Sequence, residues 1–240
     1  MPEVQKRKAN NSLENFIREN SEQGEPESRF ELVSQRVLRI DVDGRVWLNL
    51  GAAIAFYGNL KFNRLPTLKA KKLTKMALRE IAPLVFAEGK GRLYCAHIGW
   101  HIRTIRLSGE TLNISTTELL AFEDSLDFEM SMIGSGVSLT SGGVVAAKLS
   151  GEGWFAIAVH GDPLVLPVTP DEPLNTDPHA TVAWTEGLKP ELRADLTWRS
   201  LIKHGGGEPF QIYFAGSGHV VVQPSEDPMK FTGKKLKSLL

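Results

Sequence analysis

Three short strings in this 240-residue chain share one pattern, and their spacing limits what the chain can fold into. They are Ala55-Phe56-Tyr57-Gly58-Asn59-Leu60-Lys61-Phe62, Ala121-Phe122-Glu123-Asp124-Ser125-Leu126-Asp127-Phe128 and Ala183-Trp184-Thr185-Glu186-Gly187-Leu188-Lys189-Pro190. Each holds alanine, a large aromatic residue, three variable residues, leucine, a polar residue and an apolar one. Their alanines stand 66 and 62 positions apart. A Leu-Asn pair precedes each string, at Leu48-Asn49, Leu112-Asn113 and Leu174-Asn175. Common solenoids repeat every 20–50 residues or so. A longer period suits a unit of several β-strands.

A Gly-x-Gly recurs at Gly89/Gly91, Gly151/Gly153 and Gly205/Gly207. Strand-like segments follow it: Leu93 to Ile98 and Ile102 to Leu107, Phe155 to His160 and Leu164 to Val168, then Phe210 to Ala215 and Val220 to Val222. Gly99, Gly161 and Gly216 end the first strand of each pair, where a tight turn needs positive φ. The chain therefore reads as three β units centred near residues 56, 122 and 184, plus a surplus hairpin at 205 to 224. The first unit, Phe30 to Phe62, lacks the opening glycines. The C-terminal hairpin is expected to pair with it and close the sheet, which removes an open edge. Phe56, Phe122 and Trp184, at equivalent places, are expected to be core pillars.

Val37-Leu38-Arg39-Ile40-Asp41-Val42 and Ile102 to Leu107 alternate in polarity, so each predicts a strand with one buried face. Gly44, Gly109 and Asp171 mark turns. Prolines 163, 167, 170, 173, 178 and 190 confine strands of the third unit to edges or short pieces. One helix is expected at about 66–81, with Leu68, Leu73, Met76, Ala77 and Ile81 on its apolar face, Pro66 in its first turn and Pro83 ending it. Its polar face carries Lys69, Lys71, Lys72, Lys75 and Arg79, a candidate partner-binding surface.

The chain has 28 basic and 28 acidic residues, a balance that argues against coating nucleic acid by bulk charge. Its one cysteine, Cys95, forms no internal disulfide and fits a reducing, cytoplasmic setting. No apolar run approaches the roughly 18 residues of a membrane-spanning helix. Residues 1–29 mix bases with Glu3, Glu14, Glu19, Glu22, Glu25 and Glu27, unlike a secretory or mitochondrial leader. They read as a flexible polar arm with one short helix near Leu13 to Ile17. Residues 30–226 form the β domain, and 227–240 a basic tail with Lys230, Lys234, Lys235 and Lys237.

No catalytic set emerges. Gly151 to Ala156 matches a dinucleotide fingerprint by letters, but a strand follows where that motif needs a helix, so a sharp β turn is expected. His97 and His101 with Glu110 resemble a cupin metal set, yet a turn at Gly99-Trp100 separates the two histidines. Ser135 between two glycines, with Asp162 or Asp177 and a histidine, lacks the nucleophile-elbow pattern. Cys95 lies within a strand and reads as inert packing. Glu118, Glu123, Asp124, Asp127 and Glu129 are expected to form an acidic rim opposite the basic helix.

The strings at 53–62, 119–126, 149–155, 182–188 and 214–226, the last reading Phe-Ala-Gly-Ser-Gly-His-Val-Val-Val-Gln-Pro-Ser-Glu, resemble the altered-inheritance-of-mitochondria twenty-four family. The resemblance covers about residues 30 to 226. It implies an all-β protein of the double-stranded β-helix type, grouped by fold with the tryptophan RNA-binding attenuation protein, that self-associates into homo-oligomers. The eukaryotic namesake is linked to mitochondrial inner-membrane organisation. The family has no established catalytic residues, so none carries over, and no cofactor or metal is implied. Taken together, the expectation is a non-catalytic β-scaffold that organises protein or anionic membrane-surface partners. RNA binding is the alternative, and a cupin-like metalloenzyme a third reading.

Overall fold

The computed structural model describes residues 12–22, 27–64, 84–133, 144–194 and 210–224. The expected helix at 66–81, Ser135, Gly205/Gly207 and the basic tail lie outside them. A helix, α1 (Leu13–Asn20), opens the described chain, with Ser12 accepting a hydrogen bond from the Asn15 N–H at its N-cap. Strands β1 (Phe30–Ser34), β2 (Val37–Asn49), β3 (Ala53–Arg64), β4 (Leu84–Cys95), β5 (His101–Ser115), β6 (Leu119–Glu123) and β7 (Asp127–Ile133) follow. The remainder are β8 (Val144–Val159), β9 (Leu164–Val168), β10 (Leu174–Thr176), β11 (Thr181–Thr185), β12 (Leu188–Ala194), β13 (Phe210–Gly216) and β14 (Gly218–Val222).

All the pairings are antiparallel. One sheet runs β3-β4-β2-β6-β8-β5-β11-β14-β9, with β1 added on β2 and β7 on β8. A second holds β10-β13-β12. The all-β expectation stands. β9 and β12, which carry Pro167 and Pro190, each have a neighbour on one side among the described residues, as a residue without an N–H requires.

Alternation explains the burial. Leu38, Ile40 and Val42 of β2 are buried, as are Ile102 and Leu107 of β5. Burying one leucine-sized side chain stabilises the fold by roughly 1.5–3 kcal/mol, so a dozen such positions dominate the balance. Around Trp47 the core is aromatic: its ring stacks on Phe122 at 5.9 Å between centroids, and Phe86 and Phe128 lie 5.2 and 5.0 Å away. The indole N–H, which would otherwise lose its hydrogen bond to water, donates to Asp124 at 2.7 Å.

The glycines behave differently from the expectation. Gly44 and Gly109 have positive φ but sit within β2 and β5 rather than in turns. Gly151 likewise lies inside the 16-residue β8, so residues 151–156 form a bent strand instead of a sharp turn. Nor is the C-terminal segment a closing hairpin. β13 and β14 are not paired to each other: β13 lies between β10 and β12, and β14 between β9 and β11. Val220 to Val222 therefore pair with residues 164–166 and 181–184, far from residues 30–62. The cause is Gly216, whose φ of 113° redirects one nearly continuous strand from one sheet into the other.

Close backbone approach is what the glycines supply. A Cβ on Gly91 would stand 2.1 Å from the Tyr57 carbonyl oxygen and 3.1 Å from Leu60 Cγ. One on Gly153 would stand 3.1 Å from Leu126 Cγ, and one on Gly218 3.1 Å from Leu188 Cγ. Leu60, Leu126 and Leu188 are the leucines of the three strings, and all are buried.

Gly89→Ala is expected to be the most disruptive of these changes. Its Cβ would meet the Asn59 carbonyl oxygen at 2.0 Å while keeping a φ of 135°, so a loss of about 2–4 kcal/mol follows. Gly44→Ala has positive φ and open space around it, and should lose only about 1 kcal/mol. Urea unfolding of both variants checks the order.

Candidate functional site

The residues put forward from the sequence distribute unevenly. Lys69, Lys71, Lys72, Lys75 and Arg79 lie outside the described residues. Phe122 and Trp184 are buried as expected, Trp184 against Phe214 at 5.7 Å. Phe56 is not a core pillar: it is 49% exposed, and its ring contact is Phe62 at 5.3 Å. The difference is one of neighbours. Phe122 lies beside β2 and Trp184 beside β5, whereas β3 has β4 alone among the described residues.

Of the five carboxylates expected on an acidic rim, Asp124, Asp127 and Glu129 are exposed, whereas Glu118 and Glu123 are not on the rim. Glu118 is fully buried, and Gln223 Nε2 donates to its Oε1 at 3.4 Å while also reaching the His179 carbonyl at 3.1 Å. Glu123 is buried against Arg29 Nη1 at 3.0 Å and accepts the Trp154 N–H at 2.7 Å. These carboxylates fasten distant segments together. Sequence reasoning missed them because Arg29 and Gln223 lie about a hundred residues away.

No three His, Cys, Asp or Glu side chains converge as metal ligands among the described residues. His97 packs edge-on against Trp100 at 4.8 Å, in the turn ahead of β5. His101 opens β5 with its Nδ1 3.7 Å from Asp162. Glu110, nine residues on, accepts the Ser108 N–H beyond the Gly109 bend. Along a strand that is about 30 Å, too far for one ion. Cys95 is buried, and burial pushes its thiol up to about 12, so it stays protonated and unreactive.

The face that stands out instead is the outer side of β3. Ile54, Phe56 and Phe62 are exposed there, beside Leu50 in the preceding turn, and Tyr57, the residue after Phe56, is exposed on the opposite face of the strand. Two shallow clefts flank it. One, of about 460 Å³, is lined by Asp41, Asp43, Tyr57, Gly58, Lys90 and Arg92. The other, of about 240 Å³, includes Asn49, Leu50, Ala53, Phe62 and Arg64. Contiguous exposed apolar surface with a polar margin marks interaction sites. The string Ala-Ile-Ala-Phe-Tyr reads like a core strand, and nothing in its letters says that no strand covers it.

An ionic cluster borders the first cleft. Arg39, buried on β2, donates to Asp41 at 2.8 Å and to Glu22 at 2.6 Å. Tyr94 donates to the other Glu22 oxygen at 2.7 Å, and Arg92 lies 3.6 Å from it. The Tyr94 hydrogen bond and then that of Arg39 hold the Glu22 carboxyl below its ordinary range. The Arg39 hydrogen bond does the same for Asp41. Burial, then the bond to Glu22, pushes the Tyr94 phenol up. Glu22 thus ties the segment after α1 to β2 and β4. On α1 itself Leu13, Phe16 and Ile17 form an exposed apolar face.

The family model described as Mitochondrial biogenesis AIM24 matches residues 30–225. The crystal structure of a Streptococcus pyogenes protein from a structural genomics consortium superimposes with a TM-score of 0.65 at 18% identity, covering 88% of this chain and 98% of that one. The likeness is one of fold. The comparison with curated proteins returned no match. Among the described residues no helix is long and apolar enough to cross a membrane.

The depressed carboxyls set a pH dependence. Both bind protons less readily folded than unfolded, so their contribution is complete above the unfolded values near 4 and is lost as pH falls through the lower folded ones. Arg39→Met should cost about 1–2 kcal/mol at neutral pH, since both carboxylates keep some solvent contact. It should also flatten the acid limb of stability. Urea melts from pH 7 down to about 3 compare the two proteins.

Proposed function

The chain belongs to the mitochondrial biogenesis AIM24 family, and on that premise we propose that it is a non-catalytic, self-associating β-scaffold. It organises protein or membrane-surface partners through exposed strand surface. The observation that carries this reading is β3: a 12-residue strand with one neighbour among the described residues and four large, exposed apolar side chains. Long, apolar edge strands template further pairing, and monomeric proteins blunt them.

The finer architecture proposed is three units of double-stranded β-helix type. Its support is the common placement of Leu60, Leu126 and Leu188 against Gly91, Gly153 and Gly218. In each case the leucine lies five residues beyond the string's alanine. The first two glycine pairs are those read from the sequence; in the third unit Gly216/Gly218 takes the place given to Gly205/Gly207.

RNA binding draws less support from this face. Lys90 stands 3.5 Å from Asp43, and Arg92 3.5 Å from Asp41, so the bases beside Tyr57 are already countered. A stacking surface for single-stranded nucleic acid keeps its positive charge free to follow the phosphates.

Light scattering on the full-length protein tests the reading. The expected mass is at least twice that of one chain, independent of added RNA or metal chelator. A single-chain mass at micromolar concentration removes self-association, and stoichiometric zinc or iron by elemental analysis would replace the scaffold with a metalloprotein.

A further inference from the structure

Arg39 and Asp41 of β2 lie opposite Tyr94 and Arg92 of β4, so the four side chains share one face of the sheet. The β2–β4 ladder fixes all four, and the Tyr57 ring packs edge-on against Tyr94 at 6.2 Å. The fifth member of the cluster is of a different kind. Glu22 belongs to the segment between α1 and β1, and no residue of α1 is buried, so apolar packing does not hold that helix down.

Glu22 is received as a ligand would be. Its Oε1 accepts from Arg39 at 2.6 Å and its Oε2 from the Tyr94 hydroxyl at 2.7 Å, with Arg92 Nη1 3.6 Å away. The Arg39 side chain is 4% exposed. A guanidinium taken so far out of water needs its N–H groups answered by an anion. Asp41 engages Arg39 Nε and Nη2, and Nη1 is the group aimed at Glu22. Among the described residues Arg39 forms ion pairs with these two carboxylates alone, although Glu31 stands across from it on β1.

We infer that Arg39, Tyr94 and Arg92 form a binding site for a glutamate side chain of another polypeptide, and that Glu22 fills it in cis as an exchangeable stand-in. Of the reading above this takes only the protein partner, so a single-chain mass leaves it standing. Charge selects the ligand. With Glu22 in place two guanidiniums face two carboxylates; with Glu22 withdrawn, Asp41 alone faces both. What the site then calls for is one negative charge on two oxygens that span a guanidinium N–H and a phenol O–H. A carboxylate supplies that, whereas a phosphate dianion sets a second charge against Asp41. Tyr94 and then Arg39 hold the Glu22 carboxyl below its ordinary range, so the ionised form is the one received at neutral pH. The backbone just before Glu22 is extended, with Ser21 at φ −76° and ψ 146°, so an extended peptide is what the site already holds. Room for an incoming chain lies alongside, because Asp41 and Arg92 also line the cleft that contains Tyr57 and Lys90.

Titration of the full-length protein with N-acetyl-glutamate methylamide, followed through the arginine side-chain N–H resonances, tests the exchange. A tethered group competes at an effective concentration in the millimolar range, so Glu22→Ala is expected to bind this blocked residue roughly tenfold more tightly than the wild type. The Arg39 resonance, assigned by its loss in Arg39→Lys, is expected to move as the site fills. The blocked glutamine analogue is expected not to bind. Adding Tyr94→Phe to Glu22→Ala, which keeps the ring and removes the hydroxyl, is expected to abolish most of the gain without changing the melting temperature. Where Glu22→Ala itself fails to fold, Glu22→Gln keeps the shape, removes the charge and takes its place. A folded Glu22 variant that does not bind the blocked glutamate overturns the site, and equal binding by variant and wild type overturns the role of Glu22. Inorganic phosphate binding as tightly as the blocked glutamate overturns the carboxylate assignment. Glutarate binding more tightly than the blocked glutamate moves the ligand to a small organic acid and overturns the polypeptide source.

Discussion

Backbone packed against backbone at glycine is the constraint on which the rest of this structure depends. At Gly89, Gly91, Gly153, Gly216 and Gly218 a Cβ would stand about 3 Å or less from a neighbouring atom. With hydrogen alone in that space, a strand can bend across its partner and continue into a second set of hydrogen bonds. β2, β4, β5 and β8 run 12 to 16 residues in this way. The bend lets one strand take different neighbours along its length, as β2 takes β1 at one end and β6 at the other. Other side chains are fitted to those bends. Leu60, Leu126 and Leu188 fill the space beside the glycines, and the aromatic residues of the strings lie against the next strand wherever one is present.

Polar side chains then fasten what hydrophobic burial brings together. Asp124 takes the Trp47 indole N–H, Glu123 joins Arg29 to the Trp154 backbone, and Asn49 donates to the carbonyls of Thr116 and Leu119. Each bond links segments at least thirty residues apart in the chain. A buried polar group costs its desolvation unless partnered, so these bonds also select the register in which every partner is met.

Much of the fold was legible in the letters. Strand positions followed from alternation around Leu38-Ile40-Val42, and the spacing of the strings located β3, β6 and β11. Prolines 167 and 190 marked strands with an open side. What escaped was whatever depends on the third dimension. Gly216 has the composition of a hairpin turn, yet with Gly187 packed against it its positive φ deflects the chain between two sheets instead of reversing it. Phe56 shares its pattern with Phe122 and Trp184 and differs in what lies beside it, a property of strand order. Glu118 and Glu123 looked like rim carboxylates because Gln223 and Arg29, remote in sequence, are what make their burial tolerable. The β3 surface escaped for the same reason: its residues read as interior, and topology leaves them outside.

The position of Cys95 adds a property of a different kind. It ends β4 opposite both Leu38 of β2 and Ala53 of β3, sealed in the seam between the outermost strand and the body of the sheet. Alkylating reagents reach that sulfur only in moments when the seam parts, so its modification rate is an internal clock for fraying at this end of the molecule. Whatever docks along the rim and holds it shut slows the clock, without any label being introduced.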